Sequence, residues 1–230
     1  MTGLACPPGT WEKFLGKPTG EQRILSFYDV LEHSQSSDLR EMSRYVGDQI
    51  LEFDPTSIVA HDLGVPLTLL SLIRLAKRRV PVSAKLTLFN GAFRQIEIFK
   101  ANHPFRVQWM TRKGARRELE AHGGEVDSRL EPFLPRIRAM YRYIILYGLS
   151  EKFTHALGLE DLLGIAGKLP FKTPVQVIGS KNDPYIPYSS VEKLFEDCHA
   201  KRLIEMNYGH FPYSMPRKKI VPLIEEFEKH

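Results

Sequence analysis

Short apolar runs alternate with longer amphipathic ones along most of the chain, the pattern of strands and helices in an α/β fold with a largely parallel sheet. Gly3–Cys6 is a short apolar run that stops at Pro7-Pro8-Gly9, and Arg23–Tyr28 alternates as a second strand. Ser36 or Ser37 is placed to cap a helix running to about Glu52, with Leu39, Met42, Tyr45, Val46 and Ile50 on one stripe. Asp54-Pro55 breaks that helix, and Ser57–Ala60 follows as a short buried strand. After the turn His61-Asp62-Leu63-Gly64, Pro66 suits the first turn of another helix, which closes on Lys77-Arg78-Arg79. Lys85–Phe89 reads as the next strand.

The period then changes. From Phe93 to Leu169 the spacing is helical and the composition basic and aromatic, and the segment ends at Pro170 and Pro174. Alternation resumes with a strand at Val175–Gly179, a helix over Ser189–Cys198, a strand at Arg202–Met206 and a helix over Lys218–Lys229. The expected organisation is a core of residues 1–92 and 170–230 interrupted by a helical insertion, 93–169. About six strands are expected in the sheet.

Composition narrows the classes. With 230 residues, 43% hydrophobic and 26% charged, the chain can bury a sizeable single core and is neither disordered nor fibrous. No apolar run is long enough to span a bilayer, and the first residues carry no basic and apolar leader pattern. Two cysteines, Cys6 and Cys198, do not make a disulfide framework. The expectation is a soluble cytoplasmic domain with no membrane partner. The net charge is +5, and Lys100–Arg142 holds ten basic against five acidic residues. That stretch reads first as a solvated helical face. Arg112, Lys113, Arg116 and Arg117 could nonetheless steer an anionic ligand. No zinc spacing, RNA-binding aromatic signature, phosphate loop or dinucleotide fingerprint occurs, so no nucleic acid, cofactor or metal is expected. A second copy of the chain as partner is left open.

Three segments, each just after an expected strand, gather the chemistry: Ala60-His61-Asp62-Leu63-Gly64, Gly179–Pro187 and Tyr208-Gly209-His210-Phe211-Pro212. In an open parallel sheet, ligands bind beyond the carboxyl ends of the strands, so all three face one crevice. Small residues flanking Asp62 permit a sharp strand-to-helix turn that lifts its side chain above the sheet. Singly, Asp62 reads as a helix cap, Asp183 as a turn residue and His210 as a packed histidine. Their order and spacing make one site the better account.

The constellation resembles the α/β-hydrolase superfamily over nearly the whole chain. Ala60–Gly64 matches its nucleophile elbow, Gly179–Pro187 its acid loop and Gly209-His210-Phe211-Pro212 its histidine loop, and the insertion stands where the family has a cap. The resemblance implies a triad of Asp62 as nucleophile, His210 as base and Asp183 as its orienter. An elbow Asp is similar to haloalkane dehalogenases and epoxide hydrolases. A carboxylate can displace a leaving group from an sp3 carbon to give an alkyl ester, which a His-activated water then cleaves. The chain is read as opening at the family's third strand, without its first two.

The oxyanion segment aligns, with Trp11 as anchor, so that Pro7 stands where a backbone N–H is expected, and proline has none. Leu63 N–H remains from the usual donor pair, and loss of one such donor typically costs about 100- to 1,000-fold in rate. From the insertion, Tyr141, Tyr143 and Tyr147 are placed to protonate an opening oxygen, with Tyr143 and Tyr147 on one helical face, and Trp109 to line a halide or apolar pocket. Packing of the insertion against the core is the competing role for these aromatics.

Three functions follow. The leading one is a cofactor-independent hydrolase acting on a small molecule with an electrophilic carbon: a C–halogen bond, an epoxide or a strained lactone. The second is a lyase, isomerase or cyclase using Asp62 or His210 as a general base. The third is a catalytically inactive binding protein.

Overall fold

The computed structural model describes residues 1, 11, 14–16, 21–34, 39–91, 174–183, 186–210 and 216–229. Within them the chain forms α1 (Phe27–Ser34), α2 (Leu39–Phe53), β1 (Ser57–His61), α3 (Gly64–Lys77) and β2 (Lys85–Phe89). After the insertion come β3 (Val175–Ser180), α4 (Tyr188–Asp197), β4 (Arg202–Met206) and α5 (Arg217–Lys229). The insertion 93–169 lies outside the described residues, as do the expected strand Gly3–Cys6 and Pro7.

The four strands form one parallel sheet in the order β1-β2-β3-β4. Register is continuous from Ile58 through Leu86 to Val175, and from Gln176 to Arg202. Buried on both faces, β2 and β3 are the apolar runs that a parallel sheet demands. β4, at the edge, is only half-buried. Backbone bonds from Met1 N to Val59 O (2.7 Å) and from His61 N to Met1 O (3.1 Å) bracket Ala60 on the other flank of β1.

Two apolar layers cover the sheet. On one side pack α1, α2, α3 and α4 through residues such as Phe27, Met42, Val46, Leu67, Ile73 and Leu194. α3 is the central helix, with eleven of its fourteen residues buried, which accounts for its near-continuous apolar run. It meets α2 at Gly47, where an added Cβ would stand 3.7 Å from that of Ser71, and Ser71 Oγ donates to Ser43 O. On the other side Ile220 and Ile224 of α5 join Trp11, Phe14, Phe89 and Ile178. Ser57 Oγ donates to Glu228 (2.6 Å) and Lys85 Nζ to the Glu228 carbonyl (2.6 Å), pinning the end of α5 to the sheet's amino edge.

Arg23–Tyr28 is not a strand. Residues up to Ser26 are irregular, and the helix α1 begins at Phe27. Ser26 Oγ accepts from Asp29 N (3.2 Å), while Asp29 Oδ2 accepts from Ser26 N (2.7 Å) and Ser26 Oγ (2.6 Å). That reciprocal cap satisfies helix-end donors that a strand would not present. Phe27, Val30 and Leu31 then point together into the core. Among the described residues no helix is long and apolar enough to cross a membrane.

Candidate active site

Asp62 directly follows β1, Asp183 lies three residues past β3, and His210 lies four past β4. All three therefore stand at the carboxyl edge of the sheet, the edge at which open parallel sheets bind ligands. Asp62 adopts φ 50°, a left-handed conformation that Asp tolerates better than most residues. The turn is held from both sides: Asp62 N donates to Phe89 O on β2 (3.1 Å), and Asp62 O accepts from Val65 N in the first turn of α3 (3.0 Å). Backbone bonds thus fix the unusual dihedral and leave the carboxylate 13% exposed at the head of a helix.

His210 Nδ1 donates to Asp183 Oδ2 at 2.7 Å, a charge-assisted bond, while Asp183 Oδ1 accepts from Ile186 N (2.9 Å) and holds the carboxylate in place. With Nδ1 engaged, Nε2 faces Asp62 Oδ1 at 3.7 Å. Burial alone would push the imidazole down. The hydrogen bond and charge of Asp183, with the charge of Asp62 added, outweigh it and hold His210 above its ordinary 6.5. The arrangement is a carboxylate, an imidazole and a second carboxylate in line, able to hold a proton between two acids or to withdraw one from water.

The sequence-expected residues divide accordingly. Asp62, Asp183 and His210 come together. Leu63 opens α3 with helical dihedrals (φ −62°, ψ −20°), so its N–H belongs to the donors that a helix N-terminus leaves without an intrahelical partner. Trp11 is 3% exposed and sits in the core, edge-on to Phe14 and Phe89, so the indole is packing rather than an open pocket wall. Its contact toward the site is with the His61 ring, 5.7 Å away. Pro7, Trp109, Tyr141, Tyr143 and Tyr147 lie outside the described residues.

Two residues close to the centre escaped the sequence reading. His61, fully buried, directs Nε2 at the His210 carbonyl (2.9 Å); a carbonyl only accepts, so Nε2 carries the proton. Desolvation, then the charge of His210, pushes His61 well below 6.5, and it stays neutral. Asn90, one residue past β2 and 2% exposed, donates from Nδ2 to the same carbonyl (3.0 Å) and accepts from Ser180 N at Oδ1 (3.0 Å). The rule that singled out Asp62 also reaches Asn90, because both end strands at the carboxyl edge. Nothing in periodicity flags His61, which counts as the last residue of β1. Among the described residues no group of three or more His, Cys, Asp or Glu side chains is placed to hold a metal ion.

The same architecture occurs in solved structures. A lipase-esterase related protein from Clostridium acetobutylicum superimposes with a TM-score of 0.58 at 15% identity, covering 95% of this chain and 87% of that one. RedJ, a thioesterase from the prodiginine biosynthetic pathway in Streptomyces coelicolor, gives 0.53 at 14% identity, over 84% and 72% of the two chains. An α/β hydrolase fold protein from Burkholderia ambifaria gives 0.51 at 17% identity, over 82% and 72%. The chain has the α/β-hydrolase fold. No protein-family model and no curated relative matches its sequence.

Proposed function

We propose that the chain is a cofactor-independent hydrolase in which Asp62 is the nucleophile, His210 the base and Asp183 its orienter. The observation that carries this reading is the Asp62 carboxylate, raised on a left-handed turn, with the Asp183-bound imidazole of His210 presenting Nε2 at 3.7 Å. The substrate is a small molecule with an electrophilic carbon: a carbon–halogen bond, an epoxide or a strained lactone. One Asp62 oxygen attacks that carbon as the C–X or C–O bond breaks. The product is an ester on Asp62, with the bonding pair leaving on the halide or oxygen. His210 Nε2 then takes a proton from water, whose oxygen adds to the Asp62 ester carbonyl. Collapse returns the Asp62 carboxylate and releases an alcohol, and the proton on His210 goes to solvent.

A carboxylate suits this role because it is charged without losing a proton at the moment of attack. The 3.7 Å separation between Nε2 and Asp62 Oδ1 is beyond hydrogen-bond range for that pair. The Leu63 N–H at the head of α3 is the donor suited to the developing oxyanion.

Intact-protein mass spectrometry tests this. His210→Gln, incubated with pooled haloalkanes, haloacids, epoxides and β-lactones, should accumulate a covalent adduct that vanishes in His210→Gln/Asp62→Ala. The adduct mass then names the substrate class. Repeated absence of adduct with a substrate that the wild type turns over overturns the nucleophile role.

A second reading is favoured by the upward shift of His210 between two carboxylates, which suits an imidazole that stores a proton. On that reading His210 serves a lyase, isomerase or cyclase without a covalent intermediate. Solvent deuterium entering a substrate with no water added across a bond would select it.

A further inference from the structure

We infer that His61 and Asn90 are positioning residues that clamp the His210 backbone and thereby set where its imidazole stands between Asp183 and Asp62. The inference rests on the reading of His210 as the base. Both side chains converge on one atom, the His210 carbonyl oxygen, with His61 Nε2 at 2.9 Å and Asn90 Nδ2 at 3.0 Å. A carbonyl has two lone pairs, and these two donors fill both. Asn90 Oδ1 simultaneously holds Ser180 N, the last residue of β3, from which the turn to Asp183 departs through Asp183 N to Ser180 O (3.3 Å). His61 and Ser180 end β1 and β3 and Asn90 directly follows β2, so the clamp ties residue 210 to three adjacent strands at once.

A buried loop carbonyl needs one partner to escape a desolvation penalty. Here it has two, and it belongs to the residue that carries the imidazole rather than to a neighbour. Fixing the carbonyl fixes the Cα–Cβ direction, and with it the ring whose two nitrogens sit at 2.7 and 3.7 Å from the acids. Working geometry of this kind tolerates about 0.5 Å. The His61 ring lies 4.8 Å from the His210 ring and is itself walled in by Trp11, so it cannot follow a shifted loop without repacking. Asn90 holds φ 39°, a conformation that Asn adopts more readily than a branched or bulky residue. Its neutral amide supplies a donor and an acceptor at one position, which neither Asp nor Leu does.

The variants are His61→Phe, which keeps a packed ring and removes the donor, Asn90→Gly, which accepts the positive φ and removes the amide, and His61→Gln, which returns an N–H donor near the Nε2 position. Two measurements are made on each full-length protein. The first is the nitrogen-15 NMR titration of the His210 imidazole, which needs no substrate. The second separates ester formation on Asp62 from ester hydrolysis by quenched mass spectrometry with the substrate found for His210→Gln. His61→Phe and Asn90→Gly should move the His210 titration downward, because alignment with Asp183 is lost. They should also slow ester hydrolysis by about 100-fold, the cost of roughly 1 Å of misplacement. Ester formation, which does not use the imidazole, should stay within about threefold, and His61→Gln should recover most of the loss.

Wild-type titration and hydrolysis in both donor-deleted proteins overturn the clamp. So does a parallel fall of formation and hydrolysis with the titration unmoved, the mark of a merely structural role. Should His210→Gln never form an ester, the nucleophile reading fails and the imidazole titration alone decides the clamp.

Discussion

Gly91 and Val65 offer a steric test of how the elbow is held. A Cβ added at Gly91 meets Val65 Cγ2 at 2.4 Å, Val65 Cβ at 2.5 Å and Val65 Cγ1 at 2.9 Å, against an ordinary carbon–carbon contact of about 3.5–4.0 Å. Turning the valine about χ1 cannot clear all three atoms, since its Cβ does not move with χ1. Gly91→Ala must therefore push the first turn of α3 away from the end of β2. Such overpacking typically costs about 1–3 kcal/mol, and the absence of a rotamer escape puts this case at the upper end. Val65 N is the donor that holds Asp62 O, so the displacement reaches Asp62 as well as the core. Val65→Gly removes every clashing atom but forfeits about 1.5–3 kcal/mol of side-chain burial and about 1 kcal/mol of helix propensity.

The double variant should then be less destabilised than the sum of the singles by about 2 kcal/mol. Urea unfolding at constant m measures this, and the rate of ester formation on Asp62 in a His210→Gln background follows the same order. Gly91→Ala within about 0.5 kcal/mol of wild type, or penalties that simply add, refutes the close approach of α3 to β2 as the support of the elbow.

Ester hydrolysis should rise with pH through a His210 pKa above 6.5; Asp183→Asn should move that limb down and slow hydrolysis by about 10^4-fold, read from pH–rate profiles. The raised folded pKa also means that stability from His210 is fully present below about pH 6.5 and is lost as pH rises through the folded value, so Asp183→Asn, which removes the larger upward causes, should flatten that loss in a urea series and Asp62→Asn should lessen it. His61 has the opposite sign: its folded pKa lies well below 6.5, so stability is full above that pH and falls by up to about 1.4 kcal/mol per unit below it, a slope that His61→Gln should abolish. Ser180→Ala removes the acceptor of two part-buried donors, because Ser180 Oγ accepts from Tyr208 N (2.9 Å) and Asn182 N (3.2 Å), and at about 0.5–1.5 kcal/mol per bond should cost about 1–3 kcal/mol by denaturant midpoint.

The strands at Ser57, Lys85, Val175 and Arg202 could be read from sequence because each is a short apolar run closed by turn chemistry, and a parallel sheet makes such runs. The same rule misread Arg23–Tyr28. Over six residues Ile24, Ser26 and Tyr28 alternate with Leu25 and Phe27, and so short a run fits two periods. Extending the window to Leu31 exposes the i, i+3, i+4 burial of Phe27, Val30 and Leu31, and Ser26-x-x-Asp29 is its capping signal. Asp62, Asp183 and His210 were readable because charged residues directly after strands of a parallel sheet share an edge. His61 and Asn90 were not, because their importance lies in one carbonyl that they share across 149 and 120 positions of chain.

The edge position of β4 carries a consequence for how the site comes apart. Asp62 follows the strand at one flank of the described sheet and His210 follows the strand at the other, reaching back to meet Asp62, with β4 joined to the rest through β3 alone among the described strands. Its residues are half-buried, whereas those of β2 and β3 are almost wholly covered. Local opening begins where backbone hydrogen bonds are least shielded. Amide exchange should therefore be faster along Arg202–Met206 than along Lys85–Phe89, and an opening that also frees the His210 carbonyl from His61 and Asn90 carries His210 away while Asp62 stays seated on β1. On the proposed mechanism, a chain caught in that state captures a substrate and does not release it, so partial unfolding leaves the protein labelled rather than merely idle.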